Sequence, residues 1–521
     1  SSTGNLSGCF CQVNSGNVIF NSGHTLLVTN QVTVSGGTLT FENDASLVQI
    51  NDVSNSGNIT YKRTTSPVRK YDFTYWSSPV AGCTLEAVSP DSLDKYYSYD
   101  PVADDWKYES KLSVMNAGKG YIIRAPMSYD PNIAAAYTAS FKGVPNNGNY
   151  FYPNPSGTDV GIDDGKWYLF GNPYPSAMSA DAFIIENAVS SDVLDGTLLF
   201  WTHNTAVNGG KYNDDDYAYY TLTGGTGTSH ATTDPVGNTK TPNGNIAAGQ
   251  SFFGSGKTGA SNGIVKYTNT MRVDGIGNPL NNSQFFRSSA LSIERHRIWL
   301  NLTNEEGLFK QTLVGYVSGA TNGYESIYDG LSSDGNQYAD FYSVNGKRNL
   351  VIQGRALPFN VSDVVVLGYR SAIEGILKIG IDKMDGELVY QNVYLLDKQT
   401  QEYHDLKSGE YVFNTAKGVF NDRFELSYSL PDNADLGVGS NHLSDVDRVI
   451  IYKNQKNNIV IDTKGIIMSS VSIFDVQGRL LFDENNINNS QALINSGFPN
   501  GILLIQVVSQ DGKTVTKKFI N

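Results

Sequence analysis

The chain has 521 residues, and its 38 Lys and Arg against 51 Asp and Glu leave a net charge of −13. Phosphate backbones need a basic footprint and no basic stripe is visible, which excludes nucleic acid as the expected partner. Three cysteines are too few for a disulfide scaffold or a cysteine zinc site of ordinary spacing, and no run approaches the roughly 18 apolar residues of a membrane helix. Instead 52 Gly and 31 Tyr, in a chain that is 40% hydrophobic, predict an all-β protein rich in turns, with real cores and exposed aromatic surface. Its length predicts several domains, and an acidic surface fits an extracellular protein.

From Asn17 to Tyr61 short β-runs recur at roughly even spacing: Val18–Phe20, Thr25–Val28, Val32–Val34, Leu39–Phe41, Leu47–Ile50 and Ile59–Tyr61. Asn-Ser-Gly, Ser-Gly-Gly and Asn-Asp turns separate them. This predicts a short right-handed β-solenoid over residues 1–65, whose rungs bury their apolar faces only on one another. So short a stack calls for a cap or for further rungs upstream. Ser1 is followed by neither a charged n-region nor an apolar h-region, so the expectation is that a leader has been removed or was never part of this sequence. Cys9 and Cys11, two apart on one strand face, are alternative partners for Cys83, with Cys11–Cys83 the pairing expected in an oxidising compartment.

Residues 66–285 read as an aromatic-rich β-domain: Tyr96-Tyr-Ser-Tyr99, Trp106, Trp167, Trp201 and Tyr217-Ala-Tyr-Tyr220 stand among Gly, Asn and Pro loops. One helix is predicted over Ser179–Ala188, with Ser179 as N-cap and Asp181 in its first turn. Thr223–Asn245 lacks an apolar period and reads as a loop. Residues 286–429 predict a β-sandwich from alternating runs such as Ile298–Leu302, Leu313–Val317, Leu377–Ile381 and Phe424–Tyr428. Residues 430–445, holding Pro431, Gly437 and Gly439, form the linker to a last domain, 446–521.

No nucleophile elbow, HExxH helix, P-loop or dinucleotide fingerprint is present, and histidines 24, 203, 230, 296, 404 and 442 are scattered. Asp104-Asp105, Asp163-Asp164 and Asp214-Asp215-Asp216 are acidic pairs and clusters beside aromatics. Adjacent acids on a strand point to opposite faces, so none is by itself an acid/base couple, and turn acids are the plainer reading. Crowding in Asp214, Asp215 and Asp216 also admits a calcium site, without the EF-hand ligand order; otherwise no cofactor is expected. The Tyr and Trp excess equally admits a surface glycan, against the plainer reading that the rings pack cores. Asp91-Ser92-Leu93 resembles the short O-glycosylation acceptor of Bacteroidetes.

Two stretches carry wider resemblances. Trp167–Ser176 and Ala248–Phe253 resemble segments that recur in large secreted surface proteins of gliding Bacteroidetes, which implies location and a link to gliding motility rather than chemistry. In the last domain seven short apolar runs alternate with turns such as Gln477-Gly478 and Asp511-Gly512, predicting a small immunoglobulin-like sandwich. Val471–Phe482, Asn500–Val507 and Lys517–Ile520 resemble the C-terminal sorting domain of type IX secretion substrates. Asp447–Tyr452 opens the domain in place of an Asn-Pro motif, as in the variant found on secreted chitinases. The resemblance implies an outer-membrane β-barrel shuttle and the secretion channel as partners, with Gly478, Arg479, Gly501, Lys517 and Lys518 as recognition residues. The expected function is a non-enzymatic, exported, secreted or cell-surface adhesin; the alternative is a secreted polysaccharide-binding or polysaccharide-degrading protein.

Overall fold

The computed structural model describes residues 1–155, 157–204, 212, 214–228, 241–273, 293–430, 449–454, 458–463, 465–475, 477–495, 497–498, 501–510 and 514–521. Strands dominate it, as expected of an all-β chain. Contacts divide it into two compact units, residues 1–399 with 405–429, and residues 400–404 with 430–521.

The first unit opens with parallel ladders. Leu6 pairs with Leu26 and Leu26 with Leu47; Cys11 pairs with Val32; Phe20 pairs with Phe41 and Phe41 with Tyr61. Each residue thus pairs with one 20 or 21 residues further along the chain, and Phe20, Phe41 and Tyr61 stack inside with centroids 5.1 and 6.0 Å apart. The turns approach closely. Gly57 has φ +77°, and a Cβ there would lie 1.9 Å from Val34 O, which only glycine avoids. The boundary expected at residue 65 is crossed by a sheet, because Ile59–Thr64 also pairs antiparallel with Thr138–Pro145.

Two sheets of the aromatic-rich region matter for function. One runs in the order Asp105–Tyr108, Tyr96–Asp100, Tyr121–Arg124 and Phe73–Trp76. The other runs Trp167–Gly171, Ser251–Gly256, Leu194–Trp201, Tyr217–Thr221 and Gly224–Thr226. The expected helix forms as Ala180–Ile184 and continues as a π-turn over Ile185–Ser190, with the Ser179 hydroxyl accepting from Ala182 N. The loop expected from Thr223 is strand over Gly224–Thr226: Trp299 Nε1 donates to Gly225 O at 2.7 Å, so the glycines are buried under a ring. Residues 229–240 of that stretch, and the connector 278–289, lie outside the described residues. From Arg295 to Ser427 the expected strands join one sheet path in which Phe309–Val317 and Arg348–Ala356 pair in parallel over the core of Ile298, Phe341, Leu367 and Phe424.

The three cysteines are free thiols, which corrects the expected Cys11–Cys83 bond. Cys11 is held in the Cys11–Val13 ladder, and buried Cys83 directs its sulfur to Thr84 O. Burial raises the pKa of both thiols.

The second unit contains all seven strands expected there. Ile450–Lys453, Ile459–Asp462 and Gln491–Ile494 form one sheet; Leu480–Asn489, Met468–Asp475, Ile502–Ser509 and Thr514–Ile520 form the other. Alternation explains the pairing of faces: Leu503, Ile505 and Val507 are buried while their neighbours are not, and they join Ile461, Val471 and Ile473 in one core. The linker at 431–445 lies outside the described residues.

Candidate ligand-binding cleft

Phe73 and Tyr75, two apart on their strand, face one side, while Trp76 turns into the N-terminal core against Phe141. Beside them stand Tyr97, Tyr99 and Trp106, the last two paired across the ladder. The second sheet contributes Trp201 and Tyr217, also register partners, and Phe253. The rings meet mostly edge to face, at 81° for Tyr75 with Trp106 and 72° for Tyr75 with Tyr217, whereas Tyr75 and Trp201 stack at 13°.

They enclose a cleft of about 370 Å³ lined by Phe73, Tyr75, Tyr97, Trp106, Ile122, Trp201, Tyr212, Asp214 and Tyr217. The Tyr75 and Tyr217 hydroxyls lie 2.6 Å apart, and burial holds both phenols well above their ordinary pKa, so they stay neutral. The Trp201 indole N–H is buried without a hydrogen-bond partner. An adjoining pocket of about 220 Å³ shares Tyr75 and Trp201 and adds Arg63, His203 and Gln250. Arg63 is paired there with Asp44 at 2.7 Å, and burial lowers the His203 pKa.

The structure separates the acidic cluster. Asp214–Asp216 forms a single 3-10 turn: Asp214 lines the cleft, Asp215 is held by Lys310 and Asn336, each at 2.6 Å, and the buried Asp216 accepts from Thr202 through its carbonyl. Successive side chains of that turn diverge, and among the described residues no group of three or more His, Cys, Asp or Glu converges as a metal site. This corrects the calcium reading. Asp104 accepts from Tyr99 and Asp163 from Asn262 N, both as turn acids. His24, His203 and His296 sit on separate elements, His296 accepting from Glu387 N; His230 and His442 lie outside the described residues. Ser92 is wholly buried, with its hydroxyl 2.8 Å from Arg124 O, so the folded chain offers no acceptor there.

In the second unit Gly478 takes φ +80°, as the turn requires, and Arg479 Nε donates to Asp475 at 2.6 Å. Gly501 pairs its carbonyl with Asn521 N, and Lys517 and Lys518 lie on the edge strand opposite Ile505 and Leu504. Asp511-Gly512 lies outside the described residues.

Composition points to Tyr97, Trp106, Trp201 and Tyr217, which the fold does bring together. It also points to Tyr96 and Tyr220, which are core residues elsewhere. Phe73 and Tyr75 escape it, although their alternation with Thr74 is the readable sign.

These observations define an all-β protein with an aromatic-walled cleft. Residues 7–428 match the family described as Domain of unknown function (DUF8693), and the chain belongs to that family. Residues 436–521 match Domain of unknown function (DUF8694). No curated protein matches the chain.

Proposed function

We propose that the chain is an exported, non-catalytic, adhesin-like binding protein, displayed at the cell surface or released, with residues 446–521 as the address read by the type IX secretion machinery. The observation that supports this is the second unit, which holds its own sandwich core and within which residues 436–521 match a family model of their own. A compact module of that kind can be gripped independently of its cargo. By resemblance, the shuttle barrel and the secretion channel would meet the Gly478-Arg479 turn, Gly501 and the edge strand bearing Lys517 and Lys518. A link to gliding motility rests on the Trp167–Ser176 and Ala248–Phe253 resemblance. Deleting 446–521 is expected to strand folded protein in the periplasm, and fusing 430–521 to a reporter is expected to export it. Truncated protein in the medium at normal levels ends this reading.

The aromatic cleft favours a second reading, a secreted polysaccharide-binding protein. Its polysaccharide-degrading form has less support. A glycosidase needs two carboxylates about 5 to 10 Å apart, and Asp214 is the one carboxylate lining the cleft among the described residues.

A further inference from the structure

The cleft between the two sheets combines three features. Tyr75, Tyr97, Trp106, Trp201 and Tyr217 give it aromatic walls. Asp214 is its one charged lining residue among those described, with neither Lys nor Arg beside it. Its polar groups include the Tyr75–Tyr217 hydroxyl pair, in which one phenol donates to the other and that other keeps its own proton to give. A plain core would close on its rings and would not leave a carboxylate at an open volume of this size. That volume lies within the roughly 300 to 1,000 Å³ of small-molecule sites.

A pyranose ring matches these features. Its axial C–H groups form an apolar face that covers an aromatic ring, while its hydroxyls accept from O–H and donate to a carboxylate. An acidic sugar would instead place a second negative charge near Asp214, with no cation among the described residues that line the cleft to offset it. An ammonium group gains both the carboxylate and the ring faces. We infer that the cleft is a saccharide site for chains of neutral or amino sugars, and that Asp214 discriminates against acidic ones. The inference rests on the reading of the chain as a binding protein and names its ligand class.

Titration calorimetry of the full chain with oligomers of glucosamine, N-acetylglucosamine, glucose and galacturonate, matched in length, tests it. The first three are expected to bind, and the galacturonate oligomer more weakly than any of them, by a few-fold. Trp106 is half-buried on an edge strand, so Trp106→Ala should keep the fold, checked by far-UV circular dichroism. Loss of this ring from the cleft wall is expected to weaken all binding by about thirtyfold. Asp214 is exposed, and Asp214→Asn is expected to weaken the glucosamine oligomer by about two- to fivefold, as for an exposed ion pair, and to spare the neutral ones. Galacturonate binding as tight as glucosamine binding, or an unchanged preference in Asp214→Asn, overturns the selectivity. Wild-type affinity in folded Trp106→Ala overturns the location. Binding of no oligomer overturns the saccharide site itself, while the export test stands or falls separately.

Discussion

Two buried charged residues show how the first unit tolerates polar chemistry in its interior. Arg272 is wholly buried, yet its donors reach Ser176 Oγ, Asn147 Oδ1, Asn269 Oδ1 and Leu47 O, and its guanidinium lies 4.9 Å from the Tyr174 ring centroid. Burial pulls its pKa down to about 10, which still leaves it charged at neutral pH and tying the N-terminal ladders to the aromatic-rich region. Asp329 behaves differently. Its carboxylate accepts from Glu325 N at 2.6 Å and Gly354 N at 2.8 Å, but burial, with the Glu325 charge adding and Arg355 opposing, leaves its pKa pushed up to about 6. An acid whose folded pKa exceeds its unfolded value of about 4 holds its proton more tightly when folded. Its contribution to stability therefore grows as pH falls through about 6 and levels off below about 4, by on the order of 3 kcal/mol. Urea midpoints of wild type and Asp329→Asn, compared from pH 8 to pH 4.5, should show wild type gaining on the variant as pH falls. A constant difference would remove this residue as the source.

At the scale of elements, the column Phe20–Phe41–Tyr61 is the spine of the N-terminal ladders, and the Tyr61 hydroxyl anchors its end on Ala45 O at 2.6 Å. Phe41 is fully buried between the other two rings, so Phe41→Ala should cost about 3 to 5 kcal/mol. Phe10, at 58% exposure, should tolerate alanine within about 0.5 kcal/mol. Thermal melts of the two variants make the comparison, and equal losses would refute the column's role. These elements were legible in the sequence because turn residues bracket each run and because Phe20, Phe41 and Tyr61 recur at near-constant spacing. Pairing partners were not. The alternation of Ile59–Thr64 declares a strand but carries no sign that it will meet Thr138–Pro145, so a boundary read at residue 65 falls inside a sheet. The cleft was half legible for a related reason: clustered tyrosines and tryptophans stand out in composition, whereas two rings on the short Phe73–Trp76 strand do not. Nor does a sequence tell which carboxylate of Asp214–Asp216 remains at the cleft once Lys310 and Asn336 have claimed Asp215.

At the scale of the whole molecule, the two units answer different demands. The larger unit joins ladders, aromatic cleft and long sheet through side-chain bonds that cross the expected boundaries, among them Arg295 with Asp181 at 2.7 Å and Thr223 Oγ1 with Tyr328 O at 2.7 Å. It should therefore unfold as one cooperative body. The second unit lies within the domain sizes that fold unaided, about 50 to 200 residues, and relies on one core in which Ile505 is fully buried beside Ile473 and Val471. If its stability is self-contained, Ile505→Ala should remove about 2 to 5 kcal/mol from that core alone. Calorimetry of the full chain is then expected to show two transitions, with the substitution lowering one and leaving the other in place. A chain truncated after residue 429 should retain only the transition that Ile505→Ala does not move. If both transitions shift together in the substituted chain, the sandwich is not an independent module, and an address that is read separately from its cargo loses its physical basis.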